Sequence, residues 1–296
     1  MTNSAAISAP VPERSWTDRS PAGHTDNARL LRYEAGRLYT APDVLGMERD
    51  MEIRIPGRES VHLSRTPGKD RQLVLGALFT RGWIQSARDV AGMVVCEYTS
   101  QTLVQVTLEP TIRPAQRPGT VCADPNESGY GAATSGEHAL LARGAKRLLT
   151  LRTRFEQQQK MHRATGAMHG AALFHGSGTL LAFAEDIGRH NALDKAIGMV
   201  LDQGLLDRVD LAVLSSRLAL ALTRKAIAAG IGLLAGFSVA TAPSVELAHS
   251  KGMTLIGRLK PKGMNIYTHP WRLARLALHT APTPETTEHE YRTPHF

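Results

Sequence analysis

The sequence predicts an α/β fold, a parallel-rich sheet flanked by helices, preceded by a smaller β-rich N-terminal region. Three observations predict it. Between residues 179 and 259, short apolar runs alternate with stretches whose apolar residues recur at helical spacing, the pattern of strands joined by right-handed helical crossovers. Before residue 109, alternating apolar and polar residues flank short turns and read as hairpins. In the C-terminal half the polar residues gather directly after the strand runs, at the sheet edge where such folds bind ligands.

Residues 1–27 are rich in Ser, Ala, Pro and Thr without apolar periodicity, so a disordered extension is expected there. Residues 28–136 form the β-rich region, with order beginning near Arg29. Residues 51–55 and 61–63 read as one hairpin around Pro56-Gly57, and residues 94–96 and 103–108 as a second. Between them Thr66 reads as a helix N-cap with Pro67 at the first helical position, and Gly82 as the stop after Leu73, Leu75, Leu78 and Phe79. Cys96, on the second hairpin, reads as a small buried hydrophobe. From 109 to 136 periodicity vanishes and Pro and Gly accumulate, which marks a long loop containing Cys122.

Residues 137–279 form the α/β region. A helix is predicted over 137–159, its core-facing stripe running through Leu141, Ala145, Leu148, Leu149, Arg152 and Phe155. Strands follow at 179–184, 210–214, 231–237 and 253–259, and helices begin at Ala192, Leu218 and Val245. Residues 280–296 are expected to be a disordered tail.

Composition narrows the function. The 296 residues suffice for one large core or two modest ones, and 42% hydrophobic content is that of a globular protein. The longest uncharged stretch, 226–245, is broken by Gly230, Gly232, Gly236 and Pro243, so it does not read as a membrane span. The N-terminus lacks a basic start followed by a continuous apolar run, so no secretory signal is expected. Two cysteines provide no disulfide framework, and a cytoplasmic location is expected. A net charge of +8 favours anionic partners. Only 5% of residues are aromatic, and no basic run carries stacking residues between its charges, which argues against nucleic acid.

The stretch that carries chemistry is Glu185-Asp186-Ile187-Gly188-Arg189-His190-Asn191-Ala192-Leu193-Asp194-Lys195. It reads as a strand–loop–helix corner with Asn191 as N-cap and Asp194 completing an approximate capping box. Free N–H groups at the helix start, with Arg189, His190 and Lys195 around them, suit a phosphate. Glu185 and Asp186 are acceptors for a base edge. Further candidates lie after the next strands, Ser215 and Arg217 in one loop and Ser238 and Thr241 in the following one. For Ser215 and Thr241, ordinary helix capping is the competing reading.

This run resembles the signature of the FdhD family, formate dehydrogenase accessory proteins. The resemblance continues through Thr165-Gly166-Ala167-Met168-His169-Gly170-Ala171-Ala172-Leu173, through Gly252-Met253-Thr254-Leu255-Ile256-Gly257, and through Asn265-Ile266-Tyr267-Thr268-His269. It extends weakly to Thr66-Pro67-Gly68-Lys69-Asp70. The resemblance implies a cytidine-deaminase-like core, a homodimer, and action on the bis-guanylyl molybdenum (or tungsten) cofactor. It also implies sulfur relay from a cysteine desulfurase before delivery to the formate dehydrogenase catalytic subunit. Matched positions expected to bind that cofactor, bis-molybdopterin guanine dinucleotide, are those of the corner together with Gly188, His169, Ser215, Arg217, Lys225, Ser238 and Thr241. GDP is the natural surrogate ligand.

The chain departs from the family pattern where the thiols should be. A Cys-x-x-Cys pair is implied, but the sequence is Cys122-Ala123-Asp124-Pro125, so a relay ending in a disulfide within that motif is impossible here. Cys122 alone remains a possible persulfide carrier. Ala219 and Ala221 stand where the family has a serine and a glutamate, so anion contacts are better preserved than thiol chemistry. Binding and delivery of the cofactor is therefore the first expectation, sulfur transfer through Cys122 the alternative, and a purely structural partnership with the dehydrogenase the third. A zinc deaminase, the rival from another class, would need His-x-Glu and Cys-x-x-Cys. His169-Gly170-Ala171 supplies no glutamate. His162, His169, His175 and His190 could form some other metal site, but scattered histidines are more often structural or surface residues, and no metal is expected.

Overall fold

The structure is a computed structural model that describes residues 23–99, 101–110 and 135–278. Cys122 and most of the two terminal segments expected to be disordered lie outside the described residues. The N-terminal region opens with a two-stranded ribbon, β1 (Thr25–Glu34) and β2 (Arg37–Gly46), that the sequence reading did not assign. Its turn places Ala35 at φ 47° and Gly36 at φ 82°. Positive φ at both central residues matches the twist of a tight hairpin.

Both expected hairpins form within one four-stranded sheet. They are β3 (Arg49–Arg54) with β4 (Val61–Arg65), and β5 (Val90–Glu97) with β6 (Gln101–Leu108). The order is β4-β3-β6-β5, with β3 and β6 parallel. Cys96 is only half-buried on β5, so the reading of it as a core residue is corrected.

Helix α1 (Asp70–Thr80) begins three residues later than expected. Thr66 is not its N-cap: its backbone and hydroxyl are bonded to residues 186 and 187 instead, and Lys69, at φ 54°, is the residue before the helix. The other end follows the sequence, with Gly82 at φ 73° just past the helix and its N–H donating to the Phe79 carbonyl. Leu73, Val74, Leu75, Ala77, Leu78 and Phe79 are all buried, so α1 is enclosed on every side.

The α/β region is built on a six-stranded sheet in the order β12-β11-β10-β9-β7-β8. Its strands are β7 (His169–Phe174), β8 (Leu180–Asp186), β9 (Leu211–Leu214), β10 (Leu233–Gly236), β11 (Thr254–Lys260) and β12 (Gly263–Thr268). The parallel-rich expectation is corrected to a mixed sheet. Only β9–β10 and β10–β11 pair in parallel, whereas β7 is antiparallel to both β8 and β9, and β12 to β11. The cause is that short turns, rather than helices, connect β7 to β8 and β11 to β12. Strand β7 escaped the sequence reading because Gly170-Ala171-Ala172-Leu173-Phe174 is buried on both faces and shows no alternation.

Alternate residues of the sheet enter two cores. Ala171, Leu173, Ala212, Leu214, Leu234 and Leu255 face α1, α4 (Arg189–Asp202) and α5 (Leu220–Ala228). Ala172, Phe174, Leu211, Val213, Leu233, Ala235 and Ile256 face α2 (Ser135–Gln158) and α7 (Trp271–Leu278). Two short helices, α3 (Lys160–Thr165) and α6 (Ala242–Ser250), complete the layer order. No helix among the described residues is long and apolar enough to cross a membrane.

Backbone contact locks α1 to α4. A Cβ on Gly76 would lie 1.9 Å from the Asp194 carbonyl oxygen, and one on Gly198 would lie 1.8 Å from that of Gln72. Each helix thus gives up a side chain where the other's backbone passes. Although alanine is the better helix former, Gly76→Ala is expected to lower stability by about 1–3 kcal/mol, the usual cost of overpacking. Urea denaturation with an unchanged midpoint would refute this interlock.

Candidate functional site

The strand ends expected to form the site do share one edge. Because β7 is antiparallel to both neighbours, β8 and β9 point the same way, as do β10 and β11. The ends of β8, β9 and β10 therefore meet the start of β7, where His169 pairs with Asp186 in register. The Gly170 N–H donates to the Ser215 hydroxyl at 2.9 Å, and the Ser215 N–H to the Gly170 carbonyl at 3.1 Å.

At the corner itself the helix begins at Arg189, not Ala192, with Gly188 as N-cap. Asn191 is therefore inside α4, and the capping box with Asp194 does not form. Asp186 is fully buried and is the hub of the corner. Its Oδ2 takes Lys195 Nζ at 2.7 Å and the Thr66 N–H at 3.2 Å. Its Oδ1 accepts the Gly188 N–H at 2.8 Å and Asn191 Nδ2 at 3.1 Å. Lys195 also donates to the Thr66 carbonyl at 2.7 Å, Asn191 to the Ser64 carbonyl at 2.7 Å, and the Ile187 N–H to Thr66 Oγ1 at 3.1 Å. Burial pushes the Lys195 ammonium below the usual lysine range while Asp186 pulls it back up. Asp186, Asn191 and Lys195 thus hold the corner to residues 64–66 from the inside.

Glu185 also has a partner within the fold. Its carboxylate accepts the N–H groups of Met161 at 2.9 Å and His162 at 2.8 Å, capping the first turn of α3. Asp194, almost fully buried, pairs with Lys225 and accepts the Thr80 hydroxyl at 3.0 Å.

What remains at the edge without a counter-charge is basic: Arg189, Arg217 and two histidines. His169 is half-buried, and its pKa is lowered first by burial and then by the neighbouring Arg189 and His162. His190 is lowered first by burial and then by Lys225 and Arg189. His190 thus lies within electrostatic reach of Lys225, Arg189 and His169, and His169 within reach of Arg189. Arg189 stands at the first helical position of α4, and its buried Nε has no hydrogen-bond partner among the described residues. Arg217 is exposed in the loop after β9, and its guanidinium is likewise unpartnered among the described residues. That loop is tied to the next one: the Leu218 N–H donates to the Val239 carbonyl, and the Thr241 N–H to the Leu218 carbonyl. Thr241 is the N-cap residue of α6, but its side chain makes no capping bond, and Ser238 is half-buried beside it.

A cleft of about 800 Å³ adjoins this edge. It lies under the break between α2 and α3 and is lined by Glu156, Gln159, His162, Met168, His169, Ser215 and Phe237, among others. His169 and Ser215 belong to both the cleft and the strand-end cluster, so the two are continuous. Sequence reading missed Thr66, which it took for a cap, and Gln159, which it left at a helix end. Only the tertiary partners 120 residues away from Thr66 reveal its role. No group of three or more His, Cys, Asp or Glu among the described residues is arranged to hold a metal.

These features define an α/β protein with a β-rich N-terminal module clamped to a cation-lined strand edge. The chain belongs to the FdhD/NarQ family, whose sequence model matches residues 47–274. It is 32% identical over 276 residues to the sulfur carrier protein FdhD of Mycobacterium tuberculosis, covering 84% of this chain and 98% of that one. The sulfur carrier protein FdhD of Sulfolobus acidocaldarius is 30% identical over 250 residues, covering 83% and 97%. The fold is shared with the crystal structure of a protein from Desulfotalea psychrophila named for a formate dehydrogenase accessory role. That match has a TM-score of 0.66 and 20% identity, over 84% of this chain and 99% of that one.

The buried pair gives the site a direct stability test. Lys195→Met keeps the length of the side chain but leaves Asp186 without its ammonium, and removal of one partner of a buried ion pair costs about 3–5 kcal/mol. Chemical denaturation is expected to show a loss of that size, and a variant as stable as wild type would show that the corner does not depend on the pair.

Proposed function

We propose that this chain binds the bis-guanylyl molybdenum or tungsten cofactor as cargo and delivers it during maturation of a formate dehydrogenase. The observation that carries the reading is the grouping of His169, Arg189 and His190 at the strand ends, with the Arg189 Nε without a hydrogen-bond partner among the described residues. Each arm of the cargo carries a pyrophosphate, and a guanidinium beside an α-helix N-terminus suits that group. A Cβ on Gly188 would lie 2.7 Å from Asn191 Nδ2, so glycine there leaves room for the contact between Asn191 and Asp186, and Ser215, Arg217, Ser238 and Thr241 border the helix end in this reading. Glu185, Asp186, Asn191 and Lys195 act in this reading through the corner they hold in place. A homodimer and a cytidine-deaminase-like core belong to the same reading and rest on the family resemblance, and a cytoplasmic setting rests on the cysteine usage.

The lowered histidine pKa values set the pH dependence. In the free protein His169 and His190 stay neutral to lower pH than an ordinary histidine. A bound anion stabilises the imidazolium and raises both values, so binding takes up protons and tightens as pH falls through the range in which these histidines protonate. Calorimetry with sulfate, whose charge is constant over this range, checks the sign; weaker binding at lower pH would contradict the site. Arg189→Ala and Arg217→Ala should each weaken GDP binding by about 1.5–3 kcal/mol if they donate to it. Wild-type protein with no preference for GDP over sulfate would end the nucleotide reading.

A second reading, sulfur carriage through Cys122, is favoured by the name shared by the relatives. The two readings part at Cys122→Ser, which removes the nucleophile while keeping size and polarity. Cofactor delivery alone predicts that cells carrying only this variant retain formate dehydrogenase activity. A collapse of that activity together with the sulfido content of the isolated dehydrogenase, with cofactor binding intact, would establish the relay through the single thiol.

A further inference from the structure

We infer that the seam between β4 and α1 holds buried water, one molecule of which bridges the Arg65 guanidinium to the Asp70 carboxylate and so fixes the turn that carries Thr66. The starting point is a set of orphaned atoms of both signs. Arg65 is fully buried, and its Nη2 donates to Asp70 Oδ2 at 2.8 Å and to Thr102 Oγ1 at 2.9 Å. Its Nε and Nη1 are buried and have no hydrogen-bond partner among the described residues, and neither has Asp70 Oδ1. The Gly68 N–H, the weakest of the groups that favour the ionised carboxylate, makes no hydrogen bond to that oxygen. Bulk solvent reaches none of the three atoms. Buried polar groups, charged ones most of all, are costly to leave unpaired.

The chemistry of these atoms narrows the guest. It has to accept from a guanidinium and donate to a carboxylate oxygen, and water does both. A chloride would serve Arg65 but would set a second negative charge against Asp70 Oδ1, and a cation would be repelled by the guanidinium. Nor does the surrounding charge call for an ion, because the groups that act on this pair balance: Arg49, Arg65 and Lys195 against Asp70, Glu97 and Asp186. Nε and Nη1 occupy different corners of the planar guanidinium, so one water bridges a corner to Asp70 and a second occupies the other. Arg65 ends β4 and Asp70 opens α1, with Thr66, Pro67, Gly68 and Lys69 between them. The bridge therefore closes this turn across its base. From the same turn the Thr66 N–H reaches Asp186 and the Thr66 carbonyl accepts Lys195. One short segment thus joins the hydrated seam to the buried ion pair of the corner.

The experiment is a high-resolution crystal structure of the full chain, joined to oxygen-17 relaxation dispersion in solution, which reports internal waters that exchange slowly. The electron density is expected to show a water oxygen about 2.7–3.2 Å from both Asp70 Oδ1 and Nε or Nη1 of Arg65. Rotation of the carboxylate into a two-pronged contact with Nε and Nη2, with no density between the groups, overturns the inference. So does an anomalous peak at the same place after a bromide soak, which would make this an anion site. In solution the double variant Arg65→Met/Asp70→Ala removes both bridged groups, and it is expected to lose about one or two long-lived waters relative to wild type. An unchanged dispersion amplitude in that variant, shown to be folded by circular dichroism, overturns the inference as well. Should the double variant fail to fold, the wild-type density decides the question on its own.

Discussion

The buried contact between Asp186 and Lys195 is the interaction on which the functional edge depends. A carboxylate and an ammonium both removed from water are stable only when their remaining hydrogen-bonding capacity is met. Here it is met by Thr66, Gly188 and Asn191. The consequence is positional: Thr66 belongs to the link between the N-terminal sheet and α1, whereas Asp186 and Lys195 belong to β8 and α4. The pair can be satisfied only when both regions are docked. The charged seam extends further, because fully buried Arg65 bonds Asp70 at 2.8 Å and Thr102 at 2.9 Å. Burial raises the Asp70 pKa, with the Arg65 guanidinium opposing it.

Much of this was legible in the sequence, for reasons that can be given residue by residue. The parallel crossovers β9-α5-β10-α6-β11 were visible because each strand is a short apolar run and each helix carries the 3.6-residue period. The edge was visible because polar residues followed those runs. Less legible was everything decided by distant partners. Thr66 has the local chemistry of a cap, and Asn191 likewise, but a buried carboxylate 120 residues from Thr66 and five from Asn191 recruits both. Local propensity loses because a buried charge needs donors more than a helix end, which water also serves.

The same logic separates the polar residues of the corner into two groups. The buried carboxylates form pairs of opposite sign: Asp186 with buried Lys195, and Asp194 with Lys225, which is half-buried at the edge. Glu185, buried too, faces backbone N–H groups instead of a cation. Arg189 and Arg217 have no such counter-charge among the described residues. Sequence alone treated all of them as one cluster, since i to i+10 spacing does not disclose which side chains a strand–helix corner turns inward. The motif is long because it encodes both the scaffold and the groups it presents.

Lys225 shows how the N-terminal module reaches the presented groups. Its ammonium is held by Asp194, and Asp194 also accepts the hydroxyl of Thr80 at the last turn of α1. The Asp194 backbone meanwhile lies against Gly76, one turn earlier in α1. A shift of α1 along α4 would therefore move Asp194 and Lys225 together, and Lys225 is the charge that most strongly depresses His190 after burial itself. A helix contributed by the β-rich region is in this way joined, through Asp194, to the lysine beside a histidine at the strand edge. Coupling of this kind needs no long pathway, only a backbone contact too close to slip and a buried carboxylate shared between two elements.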